Sequence, residues 1–501
     1  MEPQVKRSSR IRASHVNAGT SFQRVDLPSG GRRGGEFRHP KLHVDVEDTD
    51  TTPYGGLSLA AQLASRLGLP AEIDASLDLL RAHRPYSEAD HVLTHVYNLF
   101  VGGTCIEDIA HLQGSEPIRR LLGARSIPDP TTAGDFLRRF GEGDCVALDE
   151  AIDTAQGRSW KLAHGKRKRA VALVDMDSHV HPVYGQQMEG TDFTYKGSFG
   201  YHPLAITLAE TQECLRLVNR PGNTPSAEGA ADLLEEVFPL LEGGFKRIVV
   251  RGDSAFARHD IYDACDAGGH DFAIVLPAHQ NLVSTAESLS EKEWRPFRAS
   301  EKSAPKQRKA KRRKRGRNVR RCQARKRGKR DLKLKRQWLA EVEYKPSRAQ
   351  RGYRVIIRRQ RIEESNQGEL FTLWRYRFVI SNMPPRHSAE AVVRLTYQRC
   401  DQENVIEQLQ NGIAAMAMPT GSFLANGAYL VCARLAHNLK SWLAQIALPK
   451  EAVRWEWKRF RQAFVIVAAR VVHHARSVIV RVARSHRFAD DICRGIARLQ
   501  T

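Results

Sequence analysis

Near residue 168 the hydrophobic period of this chain changes, and the order of segments that follows admits few folds. Arg169-Ala-Val-Ala-Leu-Val-Asp-Met-Asp177 is an apolar run of strand length that ends in carboxylates. His202–Glu210 and Cys214–Asn219 read as two further strands, and Ser226–Leu241 as a helix. Lys246–Arg251 reads as a strand running into Gly252-Asp253, Ala257–Gly268 as a helix and Asp271–Leu276 as a strand. Three strands, helix, strand, helix, strand predicts an α/β fold built on a mixed sheet.

The flanks read differently. Residues 1–40 are rich in Ser, Gly and Arg and poor in apolar residues, the composition of a disordered basic arm. From about 56 to 165 the period is helical: Leu57, Leu59, Leu63, Leu67 and Leu69 recur at helical spacing, and Asp129 is placed to cap a helix beginning near Pro130. Gln337–Tyr344 and Tyr353–Arg359 alternate as strands do, and Thr372–Ile380 is a further apolar strand. Helix is predicted from Ser388 through Gln410, over 421–447 and over 451–485.

Charge is concentrated. Of a net +23 over 501 residues, the stretch Lys306–Arg336 carries 19 Lys/Arg against one acid, Asp331, a net +18 that leaves +5 for the rest. A near-neutral protein with one strongly cationic segment points to a polyanionic partner, nucleic acid first. No apolar run reaches membrane-spanning length, and the opening MEPQVKRSSRIRASHV lacks the apolar core of a secretory signal. The eight cysteines are scattered with no C-x-x-C pair, which argues against a disulfide framework or zinc ribbon and fits a reducing cytoplasm.

Three acids stand out by position. Asp177 ends one apolar strand, Asp253 follows another across Gly252, and Glu403 lies on a predicted helix four residues after Arg399, on one helical face with it. Attack on a phosphodiester needs an activated nucleophile and a stabilised leaving oxygen, which two Mg²⁺ ions can supply. Hard Mg²⁺ prefers carboxylate oxygens, and acids at the carboxyl ends of neighbouring strands converge. Each acid alone has an ordinary alternative as a turn former or surface ion pair. Asp175 shares the strand end with Asp177, and His179 and His181 follow as possible transition-metal ligands or as polar residues leaving a strand edge.

Taken in order, Leu57–Leu69, Asp129-Pro-Thr-Thr-Ala-Gly-Asp-Phe-Leu-Arg-Arg-Phe140, Asp177-Ser-His-Val-His-Pro-Val-Tyr-Gly185, Asn219-Arg-Pro-Gly-Asn-Thr-Pro-Ser-Ala-Glu-Gly229, Arg251-Gly-Asp-Ser-Ala-Phe256 and Tyr397-Gln-Arg-Cys-Asp-Gln-Glu-Asn404 resemble bacterial DDE transposases of insertion sequences, more narrowly the insertion-sequence family numbered thirteen-eighty. The resemblance implies a ribonuclease H-like mixed sheet, cut-and-paste DNA transposition, and Asp177, Asp253 and Glu403 as the triad holding two Mg²⁺, with Mn²⁺ able to substitute. It implies a homodimer on paired terminal inverted repeats, a target DNA, no membrane, and a bacterial cytoplasmic, nucleoid-associated setting. Tyr397 and Arg399 match the family's tyrosine–arginine–glutamate–lysine signature. The lysine is replaced by Gln410, for which Lys440 or the basic segment would substitute. Lys311, Arg312, Arg313, Lys314 and Arg315 would neutralise phosphates, and Trp338 or Trp374 would stack on a flipped base.

The implied organisation is a disordered basic arm (1–40), a helical N-terminal DNA-binding domain (41–165), a first catalytic half (166–280), a basic β-rich insertion (281–371), a second catalytic half (372–447) and a helical C-terminal tail (448–501). Two alternatives are carried forward. A strand ending Asp-x-Asp also resembles haloacid dehalogenase-like phosphatases, with Asp175 as nucleophile, and His179 with Gln410 suits a non-enzymatic DNA-binding descendant of a transposase.

Overall fold

A computed structural model describes residues 50–184, 187–297, 332–364, 373–398, 405–475 and 477–501, all within one unit, Asp50–Thr501. A two-residue strand, Thr51–Thr52 (β1), precedes helices Leu57–Arg66 (α1), Leu69–Ser76 (α2), Glu88–Val101 (α3), Ala110–Gln113 (α4), Glu116–Leu122 (α5), Pro130–Leu137 (α6) and Glu142–His164 (α7). Local chemistry sets several of these ends. Ser87 and Asp90 form a reciprocal capping box at α3, and Asp129 accepts from the Thr131 and Thr132 N–H groups just after Pro130 opens α6.

The chain then builds Ala172–Ser178 (β2), a small sheet of His181–Pro182 (β3), Asp192–Phe193 (β4) and Phe199–Tyr201 (β5), then Leu204–Leu208 (β6) and Cys214–Val218 (β7). Ala230–Gly244 (α8), Ile248–Gly252 (β8), His259–Ala267 (α9), Asp271–Leu276 (β9) and Gln280–Ser288 (α10) follow. Arg295–Phe297 (β10), Leu332–Tyr344 (β11), Tyr353–Glu364 (β12) and Leu373–Ser381 (β13) complete the strands of the centre.

Among the described residues these strands form one nine-stranded sheet in the order β10–β11–β12–β13–β9–β8–β2–β6–β7. β2 is antiparallel to β6 and parallel to β8, and β8 is parallel to β9. The expectation of a mixed α/β sheet is met. The β-rich stretch between β9 and β13 continues that sheet, because β13 returns antiparallel along β9 from Leu276↔Phe378 to Ala273↔Ser381. Most of the cationic segment, through residue 331, lies outside the described residues.

Alternation along the strands divides the sheet into two faces. Val174, Met176, Val250, Ile274, Ile357 and Phe378 face α8, α9 and α10. Val249, Ala273, Ile356 and Val379 face Val392 and Val393 of a further helix, Ala389–Tyr397 (α11).

The last part of the chain is Phe423–Ile446 (α12), Trp457–Phe464 (α13), Ala469–His474 (β14), Ser477–Val482 (β15) and Ala489–Gln500 (α14). The predicted all-helical tail is therefore corrected: β14 and β15 form a hairpin, and β14 also pairs with β1. Val471 is buried while Arg470 is exposed, the two-residue alternation of a strand with one covered face. α12 is buried almost end to end in one core with α1, α3, α6 and α7. Its Asn438 donates to the Cys214 carbonyl and accepts the Cys214 N–H, both at 2.8 Å, so the edge strand β7 is closed by a helix. No helix among the described residues is long and apolar enough to cross a membrane.

Candidate active site

The two aspartates singled out by sequence lie at the carboxyl ends of neighbouring parallel strands. The β2–β8 register pairs Val174 with Val250 and Asp175 with Arg251. Asp177 lies two residues beyond that last pair on β2, and Asp253 directly follows β8, so both acids leave the same end of the sheet from neighbouring strands. Asp177 is half-buried, and its Oδ1 accepts the Ser178 N–H at 2.8 Å. Asp253 is exposed, and its Oδ1 accepts the Ala255 N–H at 2.9 Å, capping the short turn Ser254–Phe256. The chain reaches that turn through Gly252 for steric reasons: a Cβ there would lie 2.8 Å from Phe256 Cβ and 3.2 Å from Met176 Cε.

Asp175 has a different fate. It is 0% exposed, and Arg251, 1% exposed, donates to it from Nε and Nη2 at 2.7 Å each. A buried carboxylate so held is compensated inside the protein and is not presented to a substrate. The phosphatase alternative thereby loses its nucleophile, and Asp177 is the acid of the pair that faces outward. Arg251 also donates from Nη1 to the Leu395 carbonyl at 2.8 Å, which ties the last turn of α11 to the strand ends bearing Asp175 and Asp253. Sequence reading quoted Arg251 within its motif but assigned it no task; its charge inside an otherwise apolar strand was the available signal.

α11 starts at Ser388, whose side chain accepts the Ala391 N–H, and ends at Tyr397. The Tyr397 ring lies beneath two guanidinium groups, with Arg358 Cζ 5.0 Å and Arg377 Cζ 5.7 Å from its centroid. Glu403 and Arg399 lie outside the described residues, as do Lys311, Arg312, Arg313, Lys314 and Arg315. The chain resumes at Val405, which with Ile406 and Leu409 joins the helical core.

Other expected residues are not brought to the acids. Trp338 projects to the opposite face of the sheet, that of α8–α10. There it meets Trp374 edge to face at 5.4 Å, and the two rings with Trp294 surround the buried Arg359 at 5.2, 4.5 and 4.2 Å. Arg359 is in turn paired with Glu291. The Trp338 surface expected to stack on a base is thus committed to packing around a cation. Lys440 is 0% exposed on α12, so it does not substitute at a surface phosphate for the lysine missing at Gln410.

His179 and His181 are held neutral. Burial, with Lys196 and His202 nearby, lowers His179, and burial with His179 beside it pushes His181 down to about 4. Neither joins a metal-capable group. Among the described residues that description fits Asp78, His83 and Glu88. Glu88 Oε1 accepts the Leu79 and Leu80 N–H groups at 3.1 Å and Oε2 meets His83 Nδ1 at 3.1 Å, the pattern of a carboxylate closing the loop before α3.

The family model described as transposase DDE domain, group 1, matches residues 35–501. A search of the curated proteins finds no match. Among solved structures, the cryo-EM structure of the piggyBac transposase synaptic complex with hairpin DNA aligns over 81% of this chain and 82% of its own, at 10% identity and a TM-score of 0.30.

Proposed function

Because the chain belongs to the family of transposase DDE domains, group 1, we propose that it is a DNA transposase that cuts at terminal inverted repeats and joins the freed ends to a target. The observation that supports the catalytic assignment is the parallel β2–β8 pairing, whose adjacent strand ends carry Asp177 and Asp253 while Asp175 is bound to Arg251. The order β7–β6–β2–β8–β9, three antiparallel strands followed by two parallel ones, supports the ribonuclease H-like reading. The narrower assignment to the insertion-sequence family numbered thirteen-eighty, and a cytoplasmic, nucleoid-associated bacterial setting, belong to the same proposal.

Adjacent carboxylates on strand ends are the hard-oxygen donor set that a divalent ion such as Mg²⁺ takes. When bound there, Mg²⁺ or Mn²⁺ supplies charge stabilisation to the attacking and leaving oxygens. Asp177 and Asp253 would hold these ions together, with Glu403 as the third acid. The Asp175–Arg251 pair fixes the strand ends that carry them, and its bond to Leu395 holds the end of α11 against the same place. Arg399 would bind a phosphate, and the Lys311–Arg315 stretch would neutralise the backbone, making binding fall with salt. Both element ends must be cut in concert, so a dimer on paired ends is proposed.

The test is cleavage of a duplex bearing the repeats that flank the gene. Asp177→Asn, Asp253→Asn and Glu403→Gln should each abolish Mg²⁺-dependent cutting while retaining binding. Cutting that survives these changes would sink the triad. A wild-type protein that binds the duplex and never cuts it would favour the non-enzymatic alternative.

A further inference from the structure

Arginines are frequent on β11–β13 and the turns between them, and three are matched by acids. Arg351 pairs with Asp266, Arg354 with Glu341 and Arg359 with Glu291. Arg358, Arg375 and Arg377 differ. Arg358 Nε donates to the Gln337 side chain at 2.9 Å, and among the described residues no carboxylate pairs with any of the three. Arg358 and Arg377 are moreover directly opposite each other in the β12–β13 ladder, both half-buried, with Tyr397 beneath both. Like charges in that position repel and destabilise a strand pair unless something neutralises them. Burial, with the Arg377 charge beside it, lowers the Arg358 guanidinium below its ordinary range.

Their place on the sheet says what kind of anion they could meet. Alternation from Ile356 and Val379 puts Arg358, Arg377 and Arg375 on the α11 face, the face of Leu173, Asp175 and Asp177. Leu276, the last residue of β9, pairs with Phe378, so Arg377 and Arg375 lie beyond the carboxyl end of β9. That is the end of the sheet at which Asp177 and Asp253 stand. β13 is two ladders from β8, roughly 10 Å across the sheet. An anion there would be a neighbour of whatever the aspartates act on.

We propose that Arg358 and Arg377, steadied by Tyr397 and with Arg375 at the rim, form a clamp for a backbone phosphodiester of the DNA, close to the phosphate being cut. This rests on the transposase reading. Guanidinium forks suit the purpose, since each can give two parallel N–H bonds to one phosphate. A phosphate contact of this kind sets position along the strand and carries no sequence information.

The test uses the full chain with two probes, inorganic phosphate and a duplex carrying the flanking inverted repeat. Phosphate should raise the melting temperature of the wild type more than that of Arg358→Gln/Arg377→Gln. On the duplex the double variant should bind roughly tenfold more weakly, with a salt slope shallower by about one, whereas exposed Arg348→Gln changes neither. Without added anion the double variant should melt no lower than wild type, because a repulsion has been removed. Equal phosphate shifts and equal duplex binding in both proteins would overturn the clamp, as would a double variant that melts well below wild type in plain buffer. A phosphate shift lost in the variant, with a wild type that ignores the duplex, would overturn the transposase reading and this DNA role while leaving an anion site.

Discussion

Two residues at the heart of the sheet separate an acid bound to a buried arginine from the one proposed to act in catalysis. Asp175→Asn leaves Arg251 buried beside a neutral amide. Breaking one half of a buried pair costs about 3–5 kcal/mol, so the variant should show a large drop in urea midpoint. Asp177→Asn should lower the midpoint less than Asp175→Asn does, and lose cleavage. Equal destabilisation by the two would show that the acids had been told apart wrongly. The run Val-Asp-Met-Asp177 showed that a carboxylate at a buried strand end needed a partner. It did not show where Asp175 finds one, because Arg251 is 76 residues away and comes alongside only in the β2–β8 register.

Lys440 makes a second residue-level prediction. It is wholly buried with no hydrogen-bond partner for Nζ among the described residues, near the Trp457 ring at 5.8 Å, and burial pushes it down to about 8. Between about 8 and its ordinary value the unfolded chain binds the proton and the folded chain does not, so stability rises with pH over that window. Below about 8 the folded protein carries the full cost of the buried charge. Lys440→Met should therefore stabilise the protein at pH 7 by up to about 3 kcal/mol, seen as a higher melting temperature, with the gain shrinking as pH approaches 10. A gain independent of pH would rule out the ammonium as its source.

Among the elements, α12 joins the helices to the sheet. Arg434, fully buried, donates from Nε to the Cys214 carbonyl of β7 at 3.1 Å and pairs with Asp149 and Asp153 of α7. Burial holds the Asp149 carboxyl above its usual range even with that partner. Arg434→Leu strands Asp149 and should lower the urea midpoint by the equivalent of about 3–5 kcal/mol. Near-neutral behaviour would show that the ion pairs are replaceable. The length and burial of α12 were readable from its apolar composition. The β14–β15 hairpin was not read, although its β-branched composition carried a signal: all of Ala469–His474 pairs locally with Ser477–Val482, and Thr51–Thr52, more than 400 residues earlier, adds a third strand over two residues. Local period cannot report so distant a partner.

At the scale of the whole molecule, the stretches read as separate N-terminal and C-terminal parts share one core. Leu57, Leu63, Phe100 and Phe136 cluster with Trp442, Trp457, Phe464, Ile492 and Leu499. Helical content was legible at both ends, but a common interior made of them was not, since amphipathic faces do not name their partners. Charge belongs to this scale too. Replacing Lys311, Arg312, Arg313, Lys314 and Arg315 by Gln should weaken binding to any duplex and flatten its salt dependence. Sequence preference should stay unchanged, as read by anisotropy titrations against specific and scrambled DNA. A change confined to the specific duplex would instead give these residues a role in base recognition.

The return of β13 along β9 has a practical consequence for anyone seeking a minimal nuclease. Trimming away β10, β11 and β12 would strip one flank of β13 of its hydrogen-bonded neighbour and leave Val379 and Ile380 on a raw, sticky border. Such a border recruits strands from other molecules. The shortened protein is expected to precipitate, and a cap would have to be designed in the same cut that removes the appendage.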